Sequence, residues 1–207
     1  MLITISRQFG AGGSEVARRV AAALGWRVVD NELVEQVAAR AGLTPEDVAE
    51  MEERVPTFVE RLARTLAAAT PEMVAHSPSG AVPPLEESDL VRITEAVVAE
   101  IADQGKVVLV GRAAPAVLAR RSDALHVRVV APKPCRIAVA ARRLAVPPAK
   151  AEEILDATDK MRARYSQQYY HRDWHDSANY HMVLNTEALG LDGAVDAIVA
   201  RARALGW

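Results

Sequence analysis

The sequence predicts an α/β fold, a doubly wound five-stranded parallel sheet with flanking helices. Three observations predict it. Short β-branched runs alternate with segments of helical periodicity along most of the chain. The first run, Leu2-Ile3-Thr4-Ile5, passes through a glycine-rich turn straight into an amphipathic segment. And 207 residues, half of them hydrophobic, are enough for one sizeable core, with a single domain as the default.

The elements follow in order. Leu2 to Ile5 reads as a buried central strand. From Ser14 the spacing turns helical, with Val16, Ala17, Val20, Ala21 and Leu24 on one face and Gly25 at the stop. Trp26 to Val29, closed by Asp30, is a second strand, completing a parallel βαβ unit. Residues 31–69 are expected to be helical in pieces, with Thr44 capping a helix that has Pro45 at its first position. Four prolines and small polar residues make 70–85 a mobile loop. A helix from Ser88 or Asp89 to about Ala102 leads to a strand over Lys106–Val110, which ends at Gly111-Arg112. A helix near 113–121, a strand over Ala124–Val130, and an arginine-rich helix from Pro132 come next. Pro147-Pro148 restarts a helix that runs to about Tyr169. Met182 to Leu184 is the fifth strand, followed by Asn185-Thr186 and a last amphipathic helix over Asp192–Leu205.

Composition narrows the function classes. No apolar run is long enough for a membrane span, and the N-terminus lacks a signal-type pattern. One cysteine, Cys135, excludes an internal disulfide framework and fits a reducing compartment. The expected location is therefore the cytoplasm, without a membrane or nucleic-acid partner. Net charge is −2, yet Arg112 to Arg164 carries 12 Lys or Arg against 5 Asp or Glu. Only four of the 25 basic residues are lysine. Arginine suits bidentate grips on phosphate oxygens, and a coding bias toward Ala, Val and Arg is the other account of the excess.

The chemistry centres on Ser6-Arg7-Gln8-Phe9-Gly10-Ala11-Gly12-Gly13-Ser14-Glu15. A glycine turn between a strand and a helix aims backbone N–H groups and the helix N-terminus at one spot, which suits an anion. Glycine permits the positive φ and close approach such a turn requires.

The stretch ITISRQFGAGGSEVARRVAAALGWRVVD resembles the opening of the cytidylate kinase-like family of nucleoside monophosphate kinases. VVLVGRAA, LHVRVVAP, the Asp159–Arg164 segment, YYHRDWHD and LNT follow in that family's order, so the resemblance covers nearly the whole chain. It implies one kinase-like domain over 1–207 of the P-loop type. The core would be 1–36 and 104–207, with a helical monophosphate-binding insertion over about 37–103 and a short lid over about 142–165. It implies ATP and Mg²⁺ as cofactors, nucleotide substrates, and CMP or dCMP as the favoured acceptor; a homodimer stays open. Gly10, Ala11, Gly12, Gly13, Ser14 and Glu15 would bind the ATP phosphates, and Asp30, Arg112 and Asp159 the acceptor. Arg162 and Arg164 match the lid arginines.

The departures from the family pattern are specific. A loop of the form GxxxxGK[ST] uses its lysine to neutralise the β/γ-phosphates and its hydroxyl to hold Mg²⁺. Here the first glycine falls on Arg7 and the lysine on Gly13, while Ser14 keeps the hydroxyl. Glu15 replaces a threonine, and either holds a metal or pairs with an arginine. The acidic residue expected beside Gly111-Arg112 is absent, and Gln36 stands where an acceptor-gripping arginine is expected, with Arg40 one turn later. The lost charge must come from elsewhere, from Arg7, Arg18 or Arg19 near the loop, or from Arg142, Arg143, Arg162 and Arg164 on the lid side. Arg7, Arg162 and Arg164 are the catalytic candidates.

Three functions remain: an ATP-dependent nucleoside monophosphate kinase, a nucleotide-binding protein that has lost catalysis, and a kinase for another small phosphoacceptor. No protein metal ligand is assigned beyond Ser14. His171 and His175 have a spacing seen in zinc sites, but the segment through His181 is expected to be a docking loop. The cluster of Tyr169, Tyr170, Trp174 and Tyr180 is expected to pack in the core.

Overall fold

The computed structural model describes residues 1–30, 87–111 and 114–207. The chain divides into two units, Met1–Asn31 with Val98–Trp207, and Glu32–Val97. Of the second unit only residues 87–97 are described, so Arg40, the capped helix at Thr44 and the proline-rich stretch over 70–85 lie outside the described residues.

The first unit is built from five parallel strands: β1 (Leu2–Arg7), β2 (Arg27–Asp30), β3 (Val107–Val110), β4 (Ala124–Val130) and β5 (Met182–Asn185). Their order is β2-β3-β1-β4-β5, the predicted doubly wound sheet. Six helices are described: α1 (Gly13–Leu24), α2 (Glu87–Gln104), α3 (Ala114–Val117), α4 (Lys133–Leu144), α5 (Pro148–Tyr170) and α6 (Thr186–Ala204). β1 is buried along its whole length, as its unbroken apolar start requires of a strand covered on both faces. Ile3, Ile5, Val16, Val20, Val127 and Ile198 join the sheet to α1 and α6 in one core. Burying a side chain of this kind is worth about 1.5–3 kcal/mol, which is what holds the short strands in register.

Strand register sets the site. Ile5 pairs with Val110, Arg7 with Val129, Asp30 with Val110 and Val130 with Asn185, so the strands end together at one carboxyl edge. β1 lies between β3 and β4, and the crevice outside its carboxyl end is the usual ligand position of such sheets.

Three elements differ from expectation. The helix near 113–121 shortens to Ala114–Val117. The expected last helix is preceded by a further helical piece from Thr186, which the Asn185 side chain caps by accepting from the Glu187 N–H at 3.0 Å. Gly190, at φ 69° and ψ 170°, separates the two pieces. Trp26 stays outside β2 and packs instead against Trp207, with ring centroids 5.9 Å apart.

Candidate functional site

The glycine loop lies where β1 gives way to α1. Gly10 and Gly12 have φ of 79° and 77°, and Gly12 is the helix N-cap residue. Added side chains would not fit, since a Cβ at Gly10 would lie 2.6 Å from the Arg136 carbonyl oxygen and one at Gly12 2.6 Å from Leu191 Cδ2. The first turn of α1 presents N–H groups that have no intrahelical acceptor, together with the positive end of the helix dipole. Glycine at both positions is therefore a geometric requirement of this turn.

Distant side chains brace this loop. The Gln8 N–H donates to the Val129 carbonyl at 3.0 Å, and its side-chain oxygen accepts from the Ala131 N–H at 3.2 Å. The Thr186 hydroxyl donates to the Ala11 carbonyl at 2.8 Å. Asp159, on α5, accepts from the Phe9 N–H at 2.8 Å and from Arg136 Nη1 at 2.7 Å. Arg136 also donates to the carbonyls of Phe9, at 3.1 Å, and Ala131, at 2.9 Å. Arg162 Nη1 donates to the Arg7 carbonyl at 2.9 Å and lies 3.6 Å from Asp159. Arg136 and Arg162 are both buried, so each charge is offset by the Asp159 carboxylate and by backbone carbonyls.

Arg7 itself is buried at the end of β1. Its Nη2 donates to both oxygens of Asp30, at 3.2 and 3.0 Å. Its stem crosses Gly13, where a Cβ would lie only 2.5 Å from Arg7 Cβ.

The predicted residues divide accordingly. Gly10, Ala11, Gly12, Gly13, Ser14, Arg7, Asp30, Asp159 and Arg162 gather around the loop and the carboxyl edge. Glu15 takes the pairing role, with ion pairs to Arg18 and, at 2.7 Å, to Arg19. Those bonds hold its carboxyl below the usual glutamate range, the Arg19 hydrogen bond most of all. Arg19 reaches on to Asp192 at 2.7 Å, and both arginines are exposed. Arg162 and Arg164 do not converge. They are two residues apart on a continuous helix, so their side chains leave it about 200° apart. Arg164 is exposed and donates to Gln168 Oε1 at 3.3 Å. Arg40 and Arg112 lie outside the described residues.

The Trp174 cluster packs inward. Trp174 is buried and its Nε1 donates to the Ser6 hydroxyl at 2.9 Å, while the Arg128 guanidinium stacks 4.1 Å from its ring centroid and donates to its carbonyl. The Tyr180 hydroxyl also donates to that carbonyl, at 3.0 Å. His181 Nδ1 accepts from the His126 N–H at 3.0 Å, and among the described residues no three His, Cys, Asp or Glu form a metal cluster. Burial and the neighbouring Glu187 push the Cys135 thiol up, away from nucleophilic character. Also among the described residues, no helix is long and apolar enough to cross a membrane.

The brace residues Gln8, Arg136 and Thr186 were not legible as site residues from spacing. Thr186 carries a faint signal, a hydroxyl directly after the last strand; Arg136 is one arginine among many.

Comparison with known proteins agrees with this geometry. The chain is similar to an uncharacterized protein from Eubacterium ventriosum, with 20% identity, 97% of each chain covered and a TM-score of 0.69. It is similar to TT1252 from Thermus thermophilus, with 18% identity, 97% of each chain covered and a TM-score of 0.54. A shikimate kinase from Bacteroides thetaiotaomicron shares 13% identity over 99% of this chain and 97% of its own, with a TM-score of 0.52. At these identities the likeness is one of fold, the P-loop kinase fold. No curated protein sequence matches. The model of the cytidylate kinase-like family matches residues 2–188, which supports nucleotide-dependent phosphoryl transfer as the general chemistry. By that match, over nearly its whole length, the chain belongs to the cytidylate kinase-like family.

Proposed function

We propose that this protein transfers the terminal phosphoryl group of ATP to the phosphate of a nucleoside monophosphate, with CMP or dCMP as the favoured acceptor, releasing ADP and the nucleoside diphosphate. The observation that carries this reading is the glycine loop, braced by Asp159, Arg136 and Thr186 at the carboxyl end of the central strand. The Gln8, Phe9 and Ala11 N–H groups are spent on bracing the loop, so the first-turn N–H groups at Gly13 and Ser14 are left to meet phosphate without reorganising, and positioning is most of phosphoryl-transfer catalysis.

The residues take roles by place. The N–H groups of Gly13 and Ser14, at the end of the Gly10–Gly12 turn, hold the donor phosphates. Arg7 and Arg162 bring positive charge to the loop, Arg162 by fixing the Arg7 carbonyl. Arg164, exposed on α5, is free of the core and available to a substrate on the lid side. By the family resemblance alone, Asp30, Arg112 and Asp159 are the acceptor candidates, and Arg40 the substitute for the arginine replaced by Gln36. The residues present fit Mg²⁺ in part. The Ser14 hydroxyl would be the chain's ligand, whereas Asp30 and Asp159 are each ion-paired with an arginine, so nucleotide oxygens and water would supply the remaining ligands. The ion, when bound, neutralises phosphate charge.

A second reading is a nucleotide-binding protein without catalysis, favoured by Gly13 at the lysine position. A coupled assay of ADP release from ATP across the common monophosphates separates the two. Acceptor-dependent turnover, highest with CMP or dCMP, is expected. No turnover with any monophosphate, combined with a higher Tm in ATP, would establish the binding protein instead.

A further inference from the structure

We infer that the glycine and the cation of the phosphate loop have exchanged places, so that Arg7 supplies from the end of β1 the positive charge that position 13 lacks. The inference deepens the phosphoryl-transfer reading above and rests on it. In the pattern GxxxxGK[ST] the first position is glycine and the seventh lysine. Here position 7 is Arg and position 13 is Gly.

The two positions touch. A Cβ built on Gly13 would lie 2.5 Å from Arg7 Cβ, 3.1 Å from Cγ and 3.5 Å from Cδ. Carbon atoms pack at about 3.5–4.0 Å, so the Arg7 stem occupies the space of any side chain at 13. Gly13 is not among the glycines with positive φ, and it begins a regular helix. Its lack of a side chain is therefore required by Arg7, not by its own backbone. The reverse also holds, since a lysine at 13 needs a small residue at 7. The Arg7 head is then fixed at the sheet edge by Asp30, at 3.0 Å, and its carbonyl by Arg162, at 2.9 Å. The guanidinium sits at the carboxyl edge of the sheet, one strand end from the N-terminus of α1 and paired with Asp30; in the exchange it turns part of its donor fork from Asp30 to phosphate oxygens, which a guanidinium binds as it binds a carboxylate.

The test is a cycle of Arg7→Gly, Gly13→Lys and the double variant, read by melting and by ADP release. Arg7→Gly should cut turnover about a hundredfold or more, the scale of losing one preorganised charge donor. Gly13→Lys should lower Tm and turnover together. The double variant should regain Tm and at least about tenfold of the turnover lost in Arg7→Gly. Turnover of Arg7→Gly within threefold of wild type, or a neutral Gly13→Lys, overturns the exchange. If Arg7→Gly does not fold, the double variant decides: folded and shifted in Tm by sodium tripolyphosphate it supports the exchange, and unfolded it overturns it. If the wild type turns over nothing, phosphoryl transfer falls, and the exchange is read on tripolyphosphate shifts alone. They should be present in wild type, lost in Arg7→Gly and regained in the double variant, and any other pattern overturns it. A wild type shifted by neither ATP nor tripolyphosphate overturns both.

Discussion

Asp159 accepts a hydrogen bond from the Phe9 N–H at 2.8 Å across 150 residues of sequence, joining α5 to the phosphate loop. Its other oxygen takes Arg136 Nη1 at 2.7 Å, and both side chains are largely buried. Asp159→Ala leaves the Arg136 charge buried with only carbonyl partners. Breaking a buried pair from one side costs about 3–5 kcal/mol, a fall in Tm of roughly 10 °C for a chain of this size. Asp159→Asn keeps an acceptor for Phe9 and should fall between. Thermal melts of the three proteins check this, and an alanine variant that melts with wild type would show that the brace carries no stability.

The two lid arginines should separate in experiment. Arg162 is buried and ties the Arg7 carbonyl, so Arg162→Ala should lower stability by about 1–3 kcal/mol through an unsatisfied buried group. Arg164 is exposed, and Arg164→Ala should change stability by no more than about 0.5 kcal/mol. Any role of Arg164 on the phosphates would then appear in turnover alone, on the order of a thousandfold. Parallel melts and coupled assays distinguish them. Equal Tm losses in the two variants would contradict the opposite facing of their side chains.

The loop glycines should rank by what surrounds them. A Cβ at Gly10 meets a backbone oxygen, that of Arg136, at 2.6 Å, and backbone cannot easily withdraw. At Gly12 the obstacle is Leu191 Cδ2, the end of a flexible side chain. Gly25 has positive φ but nothing within 4 Å. Alanine at Gly25 should cost only the left-handed backbone penalty, about 1–2 kcal/mol. Gly10→Ala should cost the most, Gly12→Ala an intermediate amount, and both loop variants should weaken the Tm shift given by ATP. Denaturant melts with and without ATP measure each term.

The fold was legible because it rests on local signals. β4 spans Ala124–Val130 as its apolar run indicates, and the paired prolines at 147 and 148 mark the start of α5. Glu15 was legible as an ion-pairing residue because Arg18 and Arg19 lie three and four residues on, one helical turn away. The bracing of the site was not, for a physical reason. Trp174 reaches Ser6 across 168 residues and Thr186 reaches Ala11 across 175, contacts that only the sheet order creates. Arg162 and Arg164 look alike in sequence, and which of them faces the core depends on how α5 packs.

His126 gives a pH dependence with a definite sign. It lies buried on β4, its Nδ1 2.7 Å from the Thr4 hydroxyl and its ring stacked 4.9 Å from that of His181. Burial, then the His181 and Arg172 charges, lowers its pKa from 6.5 to about 4. Between those values the unfolded chain takes up a proton that the folded chain refuses. The contribution is complete above pH 6.5 and lost as pH falls toward 4, worth about 3 kcal/mol across the window. The carboxyls of Asp123 and Glu15 are held below the ordinary carboxylate range by their arginine partners and, for Asp123, by the chain amino group as well. Wild type should therefore lose stability between pH 6.5 and 4.5, and His126→Asn should lose distinctly less over the same interval. Denaturant unfolding at pH 7.5, 6.5, 5.5 and 4.5 gives both slopes. Parallel slopes for the two proteins would show that His126 takes up its proton in the folded chain as readily as in the unfolded one.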